Sequence, residues 1–215
     1  MTAVRLRLDG VDLDGDLEVP EGPAGAGGVV VFAHGSGSSR HSPRNKQVAA
    51  ALRDSRLATL LLDLLTPAEE QIDLRTRELR FDVGLLGERV AAAVAHVSGR
   101  ADVGGLPVGV FGASTGAAAA LLAAAQSDQV RAVVSRGGRP DLAMPVLARV
   151  RVPTLLVVGG ADPVVADLNR AAAARLGGEC RLEVVAGATH LFAEPGALEQ
   201  VSALAAEWFS RWLVR

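Results

Sequence analysis

Six short, mainly apolar runs limit what this chain can fold into. They are Val29–Ala33, Leu57–Leu62, Val108–Phe111, Val130–Val134, Thr154–Val158 and Leu182–Val185, most of them flanked by Gly, Pro or Asp. A strand with one wet face alternates apolar and polar residues. Runs that are apolar at nearly every position instead suit strands covered on both faces, as in a parallel sheet. Between them lie stretches with helical spacing: Arg44–Arg53, Leu74–Val97, Thr115–Gln126, Val165–Leu176 and Ala197–Leu213. Strand and helix in alternation predict a three-layer α/β/α sandwich around a mainly parallel sheet of about eight strands. The first two strands differ: Val4–Leu8 and Asp12–Val19 alternate about Asp9-Gly10-Val11 and predict an antiparallel hairpin. A turn-rich stretch, Pro20–Gly28, follows it. No repeat or linker interrupts the pattern, so residues 1–215 are expected to form a single domain.

Composition removes several function classes. The net charge of −2, with no long run of one sign, offers nothing to nucleic acid or an anionic membrane surface. The apolar stretch Ala117–Ala125 is far short of the 18 or so residues that a membrane span needs. The opening residues MTAVRLRLDG lack the hydrophobic core of a signal peptide, and a cytoplasmic protein is expected. A single cysteine, Cys180, excludes an internal disulfide and a cysteine-based zinc site. Neither a metal nor an organic cofactor is expected. The oligomeric state is not set by these features, and a homodimer is left open.

The strongest local signal is Gly112-Ala113-Ser114-Thr115-Gly116, where an apolar strand runs into G-x-S-x-G and an Ala/Leu helix follows at once. A serine nucleophile needs a sharp strand-to-helix turn, and the flanking glycines let neighbouring backbone come close. The plainer alternative is a Gly-rich turn with a helix N-cap serine. A serine hydroxyl also needs a base. Of the four histidines, His96 falls within a helical stretch, His41 in a polar loop and His34 at the end of a strand. His190 lies in a loop directly after the last strand, where a base is expected in the order serine, acid, histidine. Asp162 follows another strand and precedes Pro163, on the same edge of the sheet. It is the expected partner of His190, with Asp141 and Asp167 as competitors.

A fourth element is Val29-Val-Val-Phe-Ala-His34-Gly35-Ser36-Gly37, a strand ending in His-Gly-x-Gly. Its turn is expected to supply the Ser36 N–H to an oxyanion hole completed by the Thr115 N–H, with His34 shaping the turn and bordering the substrate. The loop lacks Rossmann spacing, since residue 40 is Arg40, and no GK[ST] follows for a P-loop.

These four motifs (HGSGSS, GASTG, GGADPVV and GATHLF) resemble the dienelactone-hydrolase-like group of α/β-hydrolases, in the same order and over Leu17 to Leu213. The segments LLDLLTPAEE and VVSRGGRPDLA are similar to a small bacterial subgroup known only as hydrolases, some of whose members also carry a phosphoribosyltransferase domain. Dienelactone hydrolases proper place cysteine at the elbow, where this chain has Ser114. The resemblance therefore implies hydrolysis of an ester or thioester rather than of dienelactone itself.

Together the motifs predict a serine hydrolase acting on a small-molecule ester. An acyltransferase or peptidase using the same triad is the alternative, as is a non-catalytic module that keeps the fold. Only 16 residues, Arg136–Arg151, connect two strands where larger relatives insert a lid, so an open site is expected. Arg136, Arg40 and Arg44 fall near the active edge and are candidates to clamp a substrate carboxylate or phosphate. The competing expectation pairs them with structural acids such as Asp63, Glu69 or Glu70.

Overall fold

Burial at every position sets the central strands apart. The computed structural model describes residues 2–8, 10–21 and 25–214. Asp9 of the expected hairpin turn and residues 22–24 of the turn-rich stretch lie outside the described residues. Strands β1 (Thr2–Leu8), β2 (Val11–Glu18), β3 (Gly28–Ala33), β4 (Leu57–Leu62), β5 (Val108–Ala113), β6 (Val130–Arg136), β7 (Thr154–Gly159) and β8 (Cys180–Val185) join in one sheet. Their order is β1-β2-β4-β3-β5-β6-β7-β8. β1 and β2 form the expected antiparallel hairpin, and β2 also runs antiparallel to β4. Every other pairing is parallel. β3, β4, β5 and β7 are buried throughout, which is why their sequences are apolar at almost every position.

The two-residue period of a strand sorts these side chains between two helical layers. In β3, Val29, Val31 and Ala33 pack with Val90 and Val94 of helix α3 (Val83–Ser98) and Ala120 of helix α4 (Thr115–Gln126). Val30 and Phe32 turn the other way, toward Val48 of helix α1 (Pro43–Asp54) and Val201 and Phe209 of helix α6 (Ala197–Leu213). This is the three-layer α/β/α sandwich. Helix α5 (Pro163–Ala173) follows β7. The Arg136–Arg151 connection is a 3-10 run, Pro140–Arg149, whose Ala143, Val146 and Leu147 join the core; it forms no lid.

One element differs from expectation. The helix expected over Leu74–Val97 is two helices, α2 (Pro67–Thr76) and α3, separated by a 3-10 turn at Leu79–Phe81. The apolar spacing runs across the junction, but polar groups break it. Arg77 closes α2 in the left-handed region at φ 59°, and Asp73 accepts hydrogen bonds from the Arg80 N–H and guanidinium. Asp82 then starts α3 by accepting from the Leu85 N–H.

Helix α2 opens with a capping box in which the Thr66 hydroxyl accepts from the Glu69 N–H and the Glu69 carboxylate accepts from the Thr66 N–H. That carboxylate also takes two hydrogen bonds, of 2.8 and 2.6 Å, from the buried Arg89 of α3. The Arg89 guanidinium holds the Glu69 pKa down to about 2. A depressed carboxylate stabilises the fold above its unfolded value of 4.5, and the contribution is lost as pH falls through about 2. Allowing for partial exposure, it is worth about 2–3 kcal/mol at neutral pH. Glu69→Gln keeps a side chain suited to the capping box but loses the charge. In urea unfolding, the stability gap between wild type and Glu69→Gln should narrow by more than about 1 kcal/mol between pH 7 and pH 3. A gap of constant size would show that this charge does not support the fold.

Candidate active site

At the carboxyl end of β5 the chain turns into α4 through Ser114, whose backbone sits at φ 52°, ψ −122°. The two motif glycines are dictated by crowding. A Cβ at Gly112 would lie 2.4 Å from Ala117 Cα, and one at Gly116 would lie 2.3 Å from the Ala33 carbonyl oxygen. Ser114 begins the helix but makes no side-chain cap bond, so the plain N-cap alternative is not what the structure contains. Its hydroxyl faces His190 instead, with 3.3 Å between Oγ and Nε2. The His190 Nδ1 lies 2.9 Å from Asp162 Oδ2. With Nδ1–H donating to the carboxylate, Nε2 is left as acceptor for the serine proton.

Asp162 divides its carboxylate: Oδ2 holds the imidazole, while Oδ1 caps α5 by accepting from the Val165 N–H. The competitors are engaged elsewhere, Asp141 with Arg139 and Asp167 with Arg170. The His190 loop is tied down at both sides. Glu194 accepts from the Thr189 N–H and hydroxyl, and the Ala188 carbonyl accepts from the Ala161 N–H beside Asp162. Glu194 drew no attention in the sequence, because its partner is a loop neighbour rather than part of a motif. The His190 side chain remains 38% exposed, so the site is open.

The turn after β3 carries one departure from expectation. The Ser36 N–H, expected to point at an oxyanion, donates to Thr115 Oγ1 at 2.8 Å. This bond brings the turn against the elbow and places both expected donor residues side by side. The Thr115 N–H, at the first position of α4, has no carbonyl within its helix to bond. His34 holds the turn from within: Nδ1 donates to the Gly35 carbonyl at 2.9 Å and Nε2 accepts from the Leu64 N–H at 3.1 Å, while the residue also lines a cavity beside Leu64 and Leu86. Burial also lowers its pKa, so it stays neutral and shapes the turn. The Leu64 carbonyl in turn accepts from Arg89 Nη1 at 2.6 Å, which anchors the turn to α3.

The arginines separate. Arg40, a candidate substrate clamp, is corrected to a structural role: its N–H and guanidinium both bond Asp63, and Asp16 lies 3.5 Å from its Nε. Those carboxylates neutralise it. Arg136 instead borders a cavity of about 230 Å³ together with Arg44, Ser114 and His190. A second cavity of about 200 Å³, walled partly by Leu64, Leu65, Leu74 and Leu86, shares Gly35, Ser36 and Ser38 with the first. Among the described residues no three His, Cys, Asp or Glu side chains group to hold a metal ion, and no helix is long and apolar enough to cross a membrane.

A mainly parallel sheet with serine, acid and histidine at the carboxyl ends of its strands is the architecture of the α/β-hydrolases. Residues 26–205 match the model of the family described as "Alpha/beta hydrolase domain", and the chain belongs to that family. It is dienelactone-hydrolase-like: it is 54% identical to the crystal structure of a dienelactone hydrolase from Anabaena variabilis, with a TM-score of 0.95, covering 99% of this chain and 97% of that one. Est1E from Butyrivibrio proteoclasticus shares the fold at 16% identity, with a TM-score of 0.80, covering 97% and 98% of the two chains. A Mycobacterium tuberculosis H37Rv protein provisionally named a phosphoribosyl transferase is 57% identical over 200 residues. That match takes in 93% of this chain but only 44% of the relative, so the chain spans less than half of that protein's length.

Proposed function

We propose that the chain is a serine hydrolase that cleaves a small ester or thioester through an acyl-enzyme on Ser114. The observation that carries this reading is the continuous relay from Ser114 Oγ through His190 to Asp162, at 3.3 and 2.9 Å, on a strained elbow. As Oγ attacks the carbonyl carbon, His190 Nε2 takes its proton and Asp162 stabilises the imidazolium. The developing oxyanion is held by the Thr115 N–H and, once Thr115 Oγ1 gives way or shares, by the Ser36 N–H. The amino end of α4 adds the favourable end of its dipole. His190 returns the proton to the departing alcohol or thiol. Water then loses a proton to His190 and attacks the acyl carbon, the acid leaves, and Ser114 regains its hydrogen. No metal or organic cofactor enters these steps. The phosphoribosyl transferase name belongs to a protein more than twice the matched length and is not carried over.

The test is covalent labelling. A fluorophosphonate probe should add once per folded chain, on Ser114, as mapped by intact mass and peptide sequencing. A folded protein that stays unlabelled, and that turns over no member of a panel of short acyl esters and thioesters, overturns the reading.

A further inference from the structure

Arg136 borders the cavity of Ser114 and His190, and the relay leaves its chemistry unused. It closes β6, hydrogen-bonded through its carbonyl to the Ser114 N–H at 3.1 Å, so its backbone is part of the elbow's support. The residue is only 8% exposed, and Nη1 is buried with no hydrogen-bond partner. No carboxylate pairs with Arg136 or Arg44 among the described residues. In contrast, Arg40, Arg80, Arg89 and Arg139 each meet an aspartate or glutamate. Arg44, near the start of α1, lines the same cavity, and its Nε is likewise buried and unpartnered. Burial and the charge of Arg44 together push the Arg136 pKa down to about 10, which still leaves it cationic at neutral pH.

Two cations held close, one nearly buried and neither paired, cost the fold stability. Such an arrangement is neutralised when an anion enters between them. A guanidinium is well shaped to take a planar or tetrahedral oxyanion through two parallel N–H bonds. We propose that Arg136 and Arg44 form an anion subsite of the active centre, and that the substrate carries a compact oxyanion, carboxylate or phosphate, beside the scissile bond. This rests on the serine-hydrolase reading and narrows its substrate class. The cavity places the anion within the same 230 Å³ that holds Ser114 and His190. The leucine-walled cavity across the shared Ser36 wall is left for an apolar part of the substrate.

Two measurements test it. The first compares kcat/KM for matched pairs that differ in a carboxylate: p-nitrophenyl propionate against the p-nitrophenyl hemiester of succinate, and phenyl acetate against 4-acetoxybenzoate. Wild type should favour the charged member of at least one pair. Arg136→Met and the more exposed Arg44→Gln should each cut that charged substrate by about 10- to 100-fold while changing its neutral partner less than about threefold. The second needs no turnover. Binding of inorganic phosphate and of glutarate to Ser114→Ala is followed by calorimetry, and the tighter of the two identifies the oxyanion. Binding at Ser114→Ala that disappears in the Arg44→Gln double variant supports the subsite even if the wild-type protein escapes the fluorophosphonate probe, so the two readings fail separately. The proposal is overturned if neither anion binds and no charged ester is preferred, or if the arginine variants lower charged and neutral esters by one common factor.

Discussion

Ser114→Ala should lower kcat/KM for short p-nitrophenyl esters by about a millionfold, leaving only the roughly 10³-fold acceleration over water that binding and oxyanion donors supply. The size follows from the relay. His190 Nε2 has Ser114 Oγ as its acceptor-side partner, and without that oxygen neither the acyl-enzyme nor its proton transfer can form. The fold should be indifferent to the loss, because the Ser114 hydroxyl makes no helix-cap bond. Backbone strain provides a second readout. At φ 52°, ψ −122° any side chain with a Cβ is strained, serine and alanine alike, whereas glycine is not. Ser114→Gly should therefore be as inactive as Ser114→Ala but unfold at higher urea, by about 1 kcal/mol after glycine's greater unfolded-state entropy is counted. Equal midpoints for the two variants would mean that the elbow stores no strain. Esterase activity persisting in Ser114→Ala would move the nucleophile elsewhere.

The layers of this fold are legible in the sequence because strands covered on both faces are short, apolar at nearly every position and rich in Val and Leu. The equally apolar Ala117–Ala125 is longer and built of Ala and Leu, as suits a buried helix. Val29–Ala33 and Thr154–Val158 contain no charged residue, and in the structure they are fully covered. What failed was the boundary between α2 and α3. Apolar spacing counts Leu74 as part of one helical face, but Ile72 and Leu74 are exposed and only Asp73 of α2 is buried, so no buried face runs from α2 into α3. The break itself is made by Asp73, Arg80 and Asp82, whose partners are visible only in three dimensions. The site shows the same division. The turn, the elbow and the two loops that carry Ser114, Asp162 and His190 have local signatures, since glycines must stand where backbones cross. The bond from the Ser36 N–H to Thr115 Oγ1 has none. It depends on β3 and β5 being sheet neighbours, 79 residues apart in the chain. The arginines could not be sorted for a related reason. Arg40 and Arg136 look equivalent in sequence, and only the arrival of Asp16 and Asp63 beside one of them separates a structural pair from an unneutralised charge.

Asp162→Asn should reduce kcat/KM by about 10⁴-fold while leaving stability within about 0.5 kcal/mol of wild type. The separation arises because the carboxylate has two duties on two oxygens. Oδ1 caps α5 through the Val165 N–H, and asparagine is as good a cap as aspartate, so the helix keeps its start. Oδ2 faces His190 Nδ1 at 2.9 Å, and there the amide is the wrong group. An amide NH2 in that place donates to Nδ1 and moves the imidazole proton to Nε2, which can no longer accept from Ser114. If the amide turns its oxygen to the ring instead, the tautomer survives, but the imidazolium formed during attack loses its counter-charge. Either outcome slows acylation. Asp162→Ala provides the contrast, since it should lose activity to a similar degree and also destabilise the fold by about 1 kcal/mol through the vacated cap. Were Asp162→Asn to keep more than a tenth of wild-type activity, the acid that orients His190 would have to be another residue, and the relay would need to be redrawn.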